Sequence, residues 1–249
     1  MKKKFKALMI DVDGTLVPNR MDGMPSQKII DAINKASEKV HIGVATSRPL
    51  FLLKEIFRTL NLNGPSVIHG GGQIVDAQTH EILWEQPILE EDIKKVHKIF
   101  KALNMPTHIS YKDADKEYDG SVKLDKPLQI FAIGVDQKTT EKLHEEISKI
   151  STLVFHIVPS WQKGQVGIVI THAQATKQHG IFEVAKILNI DTKEIIGIGD
   201  GGNDFPLLMA CGLKVAMGNA TDDLKAIADY IAPSVEEDGV ADVIRKFIL

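Results

Sequence analysis

Short apolar runs alternate with helical patterns at both ends of the chain, and this alternation restricts the possible folds more than any other feature. The apolar runs lie at residues 5–12, 40–46, 65–71, 194–200, 213–218 and 230–234. The helical patterns lie at 26–39, 49–61, 175–189, 204–211, 220–228 and 239–249. Apolar runs of this length that end in Gly or Asp and are joined by helices predict parallel strands buried on both faces. We therefore expect an α/β fold in which both ends of the chain form one parallel-sheet core.

The middle of the chain follows a different pattern. Two helices are expected there, at 90–103 and 138–150, and strands at 106–111, 128–136, 152–160 and 165–171. The strands are spaced as adjacent hairpin-like pairs around the helices, which predicts a separate α+β unit inserted into the core. We place the core at residues 1–82 and 172–249 and the inserted unit at 83–171. The polar stretch 112–127 and the loop at 160–165 are candidates for the entrance to a site.

Charge and hydropathy exclude several classes of function. The net charge is −3, so no global basic field points to nucleic acid. No window approaches the roughly 18 uncharged apolar residues of a membrane span, and the apolar run after the basic start is too short for a signal-peptide core. The single cysteine cannot form an internal disulfide. We expect a cytoplasmic protein, either a monomer or a small homo-oligomer.

Carboxylates follow two of the predicted core strands. In open α/β sheets, ligands bind outside the carboxyl ends of the strands. Asp11 and Asp13 follow the first strand and lie on one face of an extended run, because residues i and i+2 share a face. Asp200 follows a later strand, and three carboxylates in one place need a cation to offset their repulsion. Carboxylate oxygens with retained waters suit Mg²⁺.

Other residues at these strand ends are suited to a phosphate group. Gly14 and Thr15 form a turn whose backbone N–H groups can face an anion. The run "ATSRP" places Thr46, Ser47 and Arg48 between a strand and a helix, where hydroxyl and backbone N–H groups bind phosphoryl oxygens. Capping of that helix would explain the two hydroxyl residues equally well.

The hexapeptide "GDGGND" at 199–204 contains two further candidates, Asn203 and Asp204. Asp204 could cap the following helix, but a cap does not explain Asp200 or Asn203. Lys177 precedes a predicted helix, and taken alone it would be an ordinary solvated surface charge. His69, in the glycine-rich loop "HGGGQ", is expected to have a structural or substrate-contact role rather than a catalytic one.

In order and approximate spacing, "DVDGT", "TSRP", the lysine before a helix and "GDGGND" resemble the four motifs of the haloacid dehalogenase (HAD) superfamily. The tail, which includes "VAMGNA" and "EEDGV", resembles the Cof-type branch of that superfamily. The resemblance covers about residues 1–80 and 172–249, while the middle resembles only in general form the α+β cap, called C2B, of these proteins. It implies a Rossmann-like core with a cap domain, and a phosphatase that uses Mg²⁺.

The resemblance also implies a role for each matching residue. Asp11 would be the nucleophile that takes the phosphoryl group, and Asp13 would protonate the leaving alcohol and then activate water. Thr46 would hydrogen-bond the phosphoryl oxygens, and Lys177 would neutralise charge on Asp11 and the phosphate. Mg²⁺ would lie between Asp11, the backbone carbonyl of Asp13 and Asp200.

The remaining site residues have supporting roles under the same resemblance. Asn203 and Asp204 would support the loop, the metal or the phosphate, and we count Asp204 among the metal ligands. Arg48 would reach the substrate or the cap. The chain departs from the usual pattern at Ser47, where Gly is common, and at His69, where Asn is common. These departures affect substrate preference more than the reaction.

We therefore expect a hydrolase that acts on small phosphorylated metabolites, with sugar phosphates the first class to test. A phosphomutase on the same scaffold would return the phosphoryl group to a sugar instead of to water. A receiver-like signalling module also uses Mg²⁺ and a phosphorylated Asp, but it needs neither an inserted cap nor an acid at Asp13. A binding protein without catalysis is the other alternative that is not an enzyme. The sequence does not reveal which phosphate ester is bound.

Overall fold

A computed structural model of the chain describes residues 5–20, 22–160 and 164–249. The predicted entrance loop at 160–165 lies partly outside these residues. The strands in the described part are β1 (Ala7–Ile10), β2 (His41–Val44), β3 (Pro65–Ile68), β4 (Gln73–Asp76), β5 (Ile82–Glu85), β6 (His108–Ser110), β7 (Asp115–Glu117), β8 (Gln129–Val135), β9 (Leu153–Pro159), β10 (Val166–His172), β11 (Ile195–Gly199), β12 (Leu213–Ala216) and β13 (Tyr230–Ile231). The α-helices there are α1 (Gln27–Ala36), α2 (Lys54–Leu60), α3 (Glu90–Ala102), α4 (Gln137–Ile147), α5 (Lys177–Leu188), α6 (Phe205–Ala210), α7 (Asp222–Ile227) and α8 (Gly239–Phe247).

The core is a five-stranded parallel sheet in the order β13-β12-β11-β1-β2. Its central strand pairing joins the two ends of the chain, because β1 lies beside β11 with Ile10 opposite Ile198. All residues of β1 and β11 are buried, as expected for parallel strands covered by helices on both faces. The predicted α/β class is thus confirmed, and the ends of β1 and β11 open at the same edge of the sheet.

A second, smaller sheet extends the core beyond β2. It is antiparallel in the order β3-β4-β5, and a parallel bridge between Ala45 and Val67 connects it to the core. The sequence predicted β3 but neither β4 nor β5, since four-residue strands flanked by glycine and a polar turn carry little periodicity. Residue 83, where we placed the start of the inserted unit, falls inside β5.

The inserted unit contains a five-stranded antiparallel sheet in the order β7-β6-β8-β10-β9, which we call the cap sheet. One face of it packs against α3 and α4 in a hydrophobic core separate from that of the parallel sheet, and Ile130 and Ile170 lie in this second core. The polar stretch 112–127 is not only a loop, because it contains β7, a short strand on the edge of the cap sheet. None of the helices in the described residues is long and apolar enough to cross a membrane.

Candidate active site

The two predicted strand-end acids lie together because their strands are neighbours. Asp11 follows β1 directly and Asp200 follows β11, and the Asp11 backbone N–H donates to the Ile198 carbonyl across that pair (2.9 Å). Carboxylate oxygens of Asp11, Asp200 and Asp204 lie within 4.8 Å of one another. The predicted clustering of Asp11 and Asp200 thus follows from strand order, and the loop after β11 adds Asp204.

The three carboxylates of this cluster carry more negative charge than the one neighbouring cation, Lys177, can balance. Burial, and then the charge of Asp204, raise the pKa of Asp11 well above its ordinary value, although Lys177 opposes the shift. Burial and the charge of Asp204 also raise the pKa of Asp200 to about 7, against a hydrogen bond from Thr15 that favours the carboxylate. Carboxylates this close favour a proton or a cation between them.

Lys177 supplies one cation from the start of α5. Its ammonium group lies 2.6 Å from Asp11 Oδ1 and 2.5 Å from Asp204 Oδ1, and the residue is only 2% exposed. Burial alone would lower the pKa of Lys177, but the charges of Asp11 and Asp204 outweigh burial and raise it. Lys177 is therefore not the solvated surface charge that the sequence around it would predict. It is the buried counter-ion of two carboxylates.

Asp204 is the most completely bonded of the three acids. Its Oδ1 accepts from Lys177, and its Oδ2 accepts from the backbone N–H groups of Asp200 and Gly201, both at 3.0 Å. The Asp204 carboxylate thus stabilises the tight loop after β11 by accepting hydrogen bonds from the backbone at the start of that loop. Asp11 and Asp200 retain more free lone pairs, so the donor set fits a hard divalent cation held mainly by these two carboxylates.

Asp13 lies apart from the acidic cluster. Its carboxylate accepts two hydrogen bonds from Arg48, one from Nε at 2.9 Å and one from Nη2 at 2.5 Å. Arg48, which we expected to reach the substrate or the cap, pairs with Asp13 and also lines the cavity, so its contact with a substrate stays a prediction. A bidentate guanidinium–carboxylate pair fixes the orientation of both side chains.

The turn after Asp13 is fitted closely to Asp200. Gly14 has φ +81°, and a Cβ there would lie 2.4 Å from Asp200 Oδ2, so both the backbone angle and the space require glycine. The Thr15 hydroxyl donates to Asp200 Oδ1 at 2.8 Å. The Thr15 hydroxyl thus orients the Asp200 carboxylate, and the phosphate contact expected of Thr15 stays a prediction.

The other predicted phosphate-binding residues surround the same space. Thr46 is buried after β2, and its Oγ1 accepts from the Arg48 backbone N–H at 3.1 Å. Thr46, Ser47 and Asn203 all line the cavity that contains Asp11 and Asp13. Their contacts with a phosphate stay a prediction.

One supporting residue had no role in the prediction. The Asn219 side chain donates to the Gly14 carbonyl at 2.8 Å and accepts from the Val235 backbone N–H at 2.9 Å. It therefore ties the turn after β1 to the chain beyond β13. Its position directly after the apolar run predicted at 213–218 was the available sequence signal, because ligand-site residues of such sheets follow strand ends.

A cavity of about 260 Å³ lies between these residues and the cap sheet. The parallel core contributes the charged floor, including Asp11, Asp13 and Asp200, and the cap sheet contributes the opposite wall. The polar stretch contributes Asp115 to the lining, and Ser160 lies at the edge of the predicted entrance loop. A small molecule held here would contact both units.

Comparison with known proteins gives the family. A family model described as haloacid dehalogenase-like hydrolase matches residues 8–121 and 108–244. A phosphoglycolate phosphatase of Methanopyrus kandleri is 25% identical over 97% of this chain and 96% of its own length. The 5-amino-6-(5-phospho-D-ribitylamino)uracil phosphatase YcsE of Bacillus subtilis is 27% identical over 98% of this chain and 96% of its own length.

A solved structure supports the same assignment at the level of the fold. The HAD subclass IIB sugar phosphatase BT4131 has a TM-score of 0.79 and 24% sequence identity, with 97% of this chain and 98% of that chain covered. The resemblance inferred from the sequence motifs is thus confirmed, and so is the expected hydrolase class. Since the family model spans nearly the whole chain, this protein belongs to the haloacid dehalogenase-like hydrolase family.

Proposed function

We propose that the protein is a Mg²⁺-dependent phosphatase that hydrolyses small phosphorylated metabolites through an aspartyl-phosphate on Asp11. One observation carries the proposal: the Asp11 carboxylate is buried at the floor of the cavity, held by Lys177 and placed beside Asp200. Such a carboxylate is positioned and partly neutralised, as a nucleophile toward an anionic ester has to be. The phosphatase names of the similar relatives agree with this reaction.

The proposed reaction has two steps. In the first, an oxygen of Asp11 attacks phosphorus, the bond from phosphorus to the ester oxygen breaks, and Asp13 gives its proton to the departing alkoxide. In the second, water attacks the phosphorus of the aspartyl-phosphate, Asp13 takes a proton from that water, and the bond from phosphorus to Asp11 breaks. The products are the alcohol and inorganic phosphate, and both carboxyl groups return to their starting forms.

The Asp13–Arg48 pair has to open during this cycle. A carboxylate that accepts two hydrogen bonds from a guanidinium has no proton to donate. We propose that Arg48 turns to the phosphate when the ester binds, which frees Asp13 to take up and then transfer a proton. Thr46, Ser47 and Asn203 would complete the contacts with the phosphoryl oxygens.

Asp11, Asp200, the backbone carbonyl of Asp13 and, as a supporting ligand, Asp204 would hold the metal ion. A bound Mg²⁺ supplies the positive charge that the acidic cluster lacks and withdraws charge from the transferring phosphoryl group. Uncatalysed hydrolysis of phosphate monoesters is so slow that enzymes accelerate it by up to about 10²¹-fold. A tethered acid or base alone contributes only about 10²- to 10⁴-fold, so the covalent route and the cation are both needed.

The relatives leave the substrate open within this reaction class. Phosphoglycolate and a ribitylaminouracil phosphate, the substrates in the two relatives' names, differ in size and charge although the identities to this chain are nearly equal. Sugar phosphates, the class expected from the sequence, remain the first panel to test.

Phosphate release from p-nitrophenyl phosphate tests the reaction. We expect activity with Mg²⁺, its loss with EDTA, no turnover for Asp11→Asn, and strongly reduced turnover for Asp13→Asn with phosphate-analogue binding retained. Asp22→Asn is the matched control, since the Asp22 side chain is 88% exposed, and it should behave as wild type. Wild-type turnover by Asp11→Asn would refute the covalent mechanism. Transfer to a sugar acceptor without phosphate release would indicate the mutase, and a stable phosphoprotein would indicate the signalling module.

A further inference from the structure

The wall of the cavity opposite the acids is mostly apolar, with Asp115 and Gln129 among its polar residues. Strand β8 contributes Phe131 and Ile133, β9 contributes Val158, and β10 contributes Val169, while Leu52 lies on the core side. From this lining we propose that the natural substrate is a phosphate monoester whose organic part is apolar, about the size of one ring, and free of a second anionic group. The inference rests on the proposed phosphatase function and narrows its substrate class away from sugar phosphates.

The fold of the inserted unit does not require this apolar wall. Successive residues of a strand point to opposite faces, and Ile130 and Ile170 already fill the hydrophobic core beneath α3 and α4. Phe131 and Val169, which are paired across β8 and β10, therefore lie on the face away from the helices. The exposed face of an antiparallel sheet is usually polar. On this face Val169 is buried by the protein itself, but Ile133 is uncovered and therefore indicates contact with something other than water.

Two residues at the cavity are apolar and largely uncovered. Ile133 is 64% exposed and Leu52 is 53% exposed, and they lie on the cap side and the core side of the same cavity. An apolar ligand between them would remove this surface from water, which stabilises a complex in proportion to the area covered. The polyhydroxylated body of a sugar would instead lose hydrogen bonds to water along this apolar surface and could replace them only at the few polar lining residues, such as Gln129.

Charge argues against a second anionic group. Arg48 is the one cationic side chain among the described residues that line the cavity, and it is already paired with Asp13. The cap side of the lining adds Asp115, a further negative charge. A carboxylate on the organic part of the substrate would therefore find no free cation and would face an acid.

The cavity, which is open to solvent on one side, has a volume that suits a small organic part. Pockets for drug-sized ligands measure about 300–1,000 Å³, and this cavity of about 260 Å³ also has to hold the phosphoryl group. One ring or a short branched chain fits that space.

Three esters of primary alcohols test the inference because their leaving groups are chemically similar. They are benzyl phosphate, glucose 6-phosphate and 2-phosphoglycolate. Since a single methylene in an apolar pocket is worth about 10- to 200-fold in kcat/KM, we expect benzyl phosphate to exceed each of the others at least about tenfold, mainly through a lower KM.

A pair of variants tests whether the apolar wall of the cavity causes the preference for benzyl phosphate. Ile133→Ser should lower kcat/KM for benzyl phosphate at least about tenfold and change the value for glucose 6-phosphate much less. Ile157→Ser is the matched control, because Ile157 is a 48% exposed residue of the same cap sheet that does not line the cavity. It should leave all three values unchanged.

The outcomes separate the two proposals. If glucose 6-phosphate or 2-phosphoglycolate is hydrolysed as well as benzyl phosphate, or if Ile133→Ser lowers all three values equally, the substrate inference is wrong and the phosphatase proposal stands. If no ester, including p-nitrophenyl phosphate, is hydrolysed, the phosphatase proposal fails, and calorimetric titration with benzylphosphonate tests the wall by itself. If benzylphosphonate binds and Ile133→Ser weakens that binding, the apolar wall is the binding surface for the organic part. Absence of binding would overturn this role of the wall.

Discussion

Replacement of Lys177 by Met should destabilise the protein and make its stability depend on a divalent cation more strongly than that of wild type. The ammonium group of Lys177 is 2.6 Å from Asp11 and 2.5 Å from Asp204, and all three residues are buried. Methionine has a similar length but no charge, so the substitution leaves two buried carboxylates beside Asp200 without their counter-ion. Mg²⁺ bound to these acids would then supply the missing positive charge.

The expected loss of stability follows from the burial of the pair. Removing one partner of a buried ion pair costs about 3–5 kcal/mol, because the other charge stays buried and unpaired. For a chain of 150–250 residues, each kcal/mol shifts the melting temperature by about 2–4 °C. Without metal, Lys177→Met should thus melt about 6–20 °C below wild type. Mg²⁺ at 100 times its dissociation constant would restore about 2.7 kcal/mol.

Thermal unfolding with EDTA and with Mg²⁺ measures both effects, and a lysine of the same helix provides the control. Lys186 is 70% exposed and contacts Glu183 at 2.6 Å, and an exposed pair contributes at most about 1 kcal/mol. Lys186→Met should therefore melt close to wild type under both conditions. If Lys177→Met melts within about 2 °C of wild type in EDTA, Lys177 is not the counter-ion that holds the two carboxylates together.

Three further substitutions test separate parts of the site. Gly14→Ala and Gly164→Ala introduce a Cβ at nearly the same positive φ, +81° and +79°, but only at position 14 would that Cβ lie 2.4 Å from a carboxylate oxygen. Gly164→Ala should cost about 1–2 kcal/mol in denaturant melts, and Gly14→Ala should cost more and abolish turnover; equal effects would contradict the close fit. Burial lowers the pKa of His69 from 6.5 to about 4, so the folded protein holds this histidine neutral, and the stability it contributes is lost as the pH falls from about 6.5 to 4. With Mg²⁺ present, the melting temperature of His69→Asn should fall less than that of wild type when the pH is lowered from about 7.5 to 5. An equal fall would mean that His69 does not titrate on unfolding. Arg48→Met should lower kcat/KM about 10- to 100-fold for every ester, because it removes both the proposed contact with the phosphate and the side chain that orients Asp13 before the ester binds; Arg48→Lys should not restore it, because a lysine can form neither two-bonded contact, and a wild-type value for either variant would contradict the proposed role.

The sequence predicted those site residues whose positions depend on strand order alone. Asp11 and Asp200 lie together because parallel strands present their carboxyl ends at one edge, and β1 pairs with β11. Thr46 lies at the same edge because β2 pairs with β1 on its other side. Lys177 needed the family pattern, since nothing within its own helix distinguishes it from an exposed lysine.

Side-chain partners could not be predicted in the same way. The bond from Thr15 to Asp200 and the Arg48–Asp13 pair join positions far apart in the sequence, and each depends on side-chain rotamers. Strands β4, β5 and β7 were missed for a different reason. Each is only three or four residues long, and tertiary contacts rather than local periodicity decide whether so short a segment pairs.

The charges of the site connect its need for a metal with its preference for one anionic group. Four carboxylates and two cationic side chains meet at the floor of the cavity, namely Asp11, Asp13, Asp200, Asp204, Lys177 and Arg48. With all four carboxylates ionised, two negative charges stay without a counter-ion, and one divalent cation cancels them. A phosphate dianion would be repelled from the metal-free floor but would approach a neutral floor once the cation is bound. A second anion on the organic part would then add a negative charge beside an apolar wall, where no described lining residue offers a free cation. The same electrostatics that call for Mg²⁺ thus favour an ester whose only charged group is its phosphate.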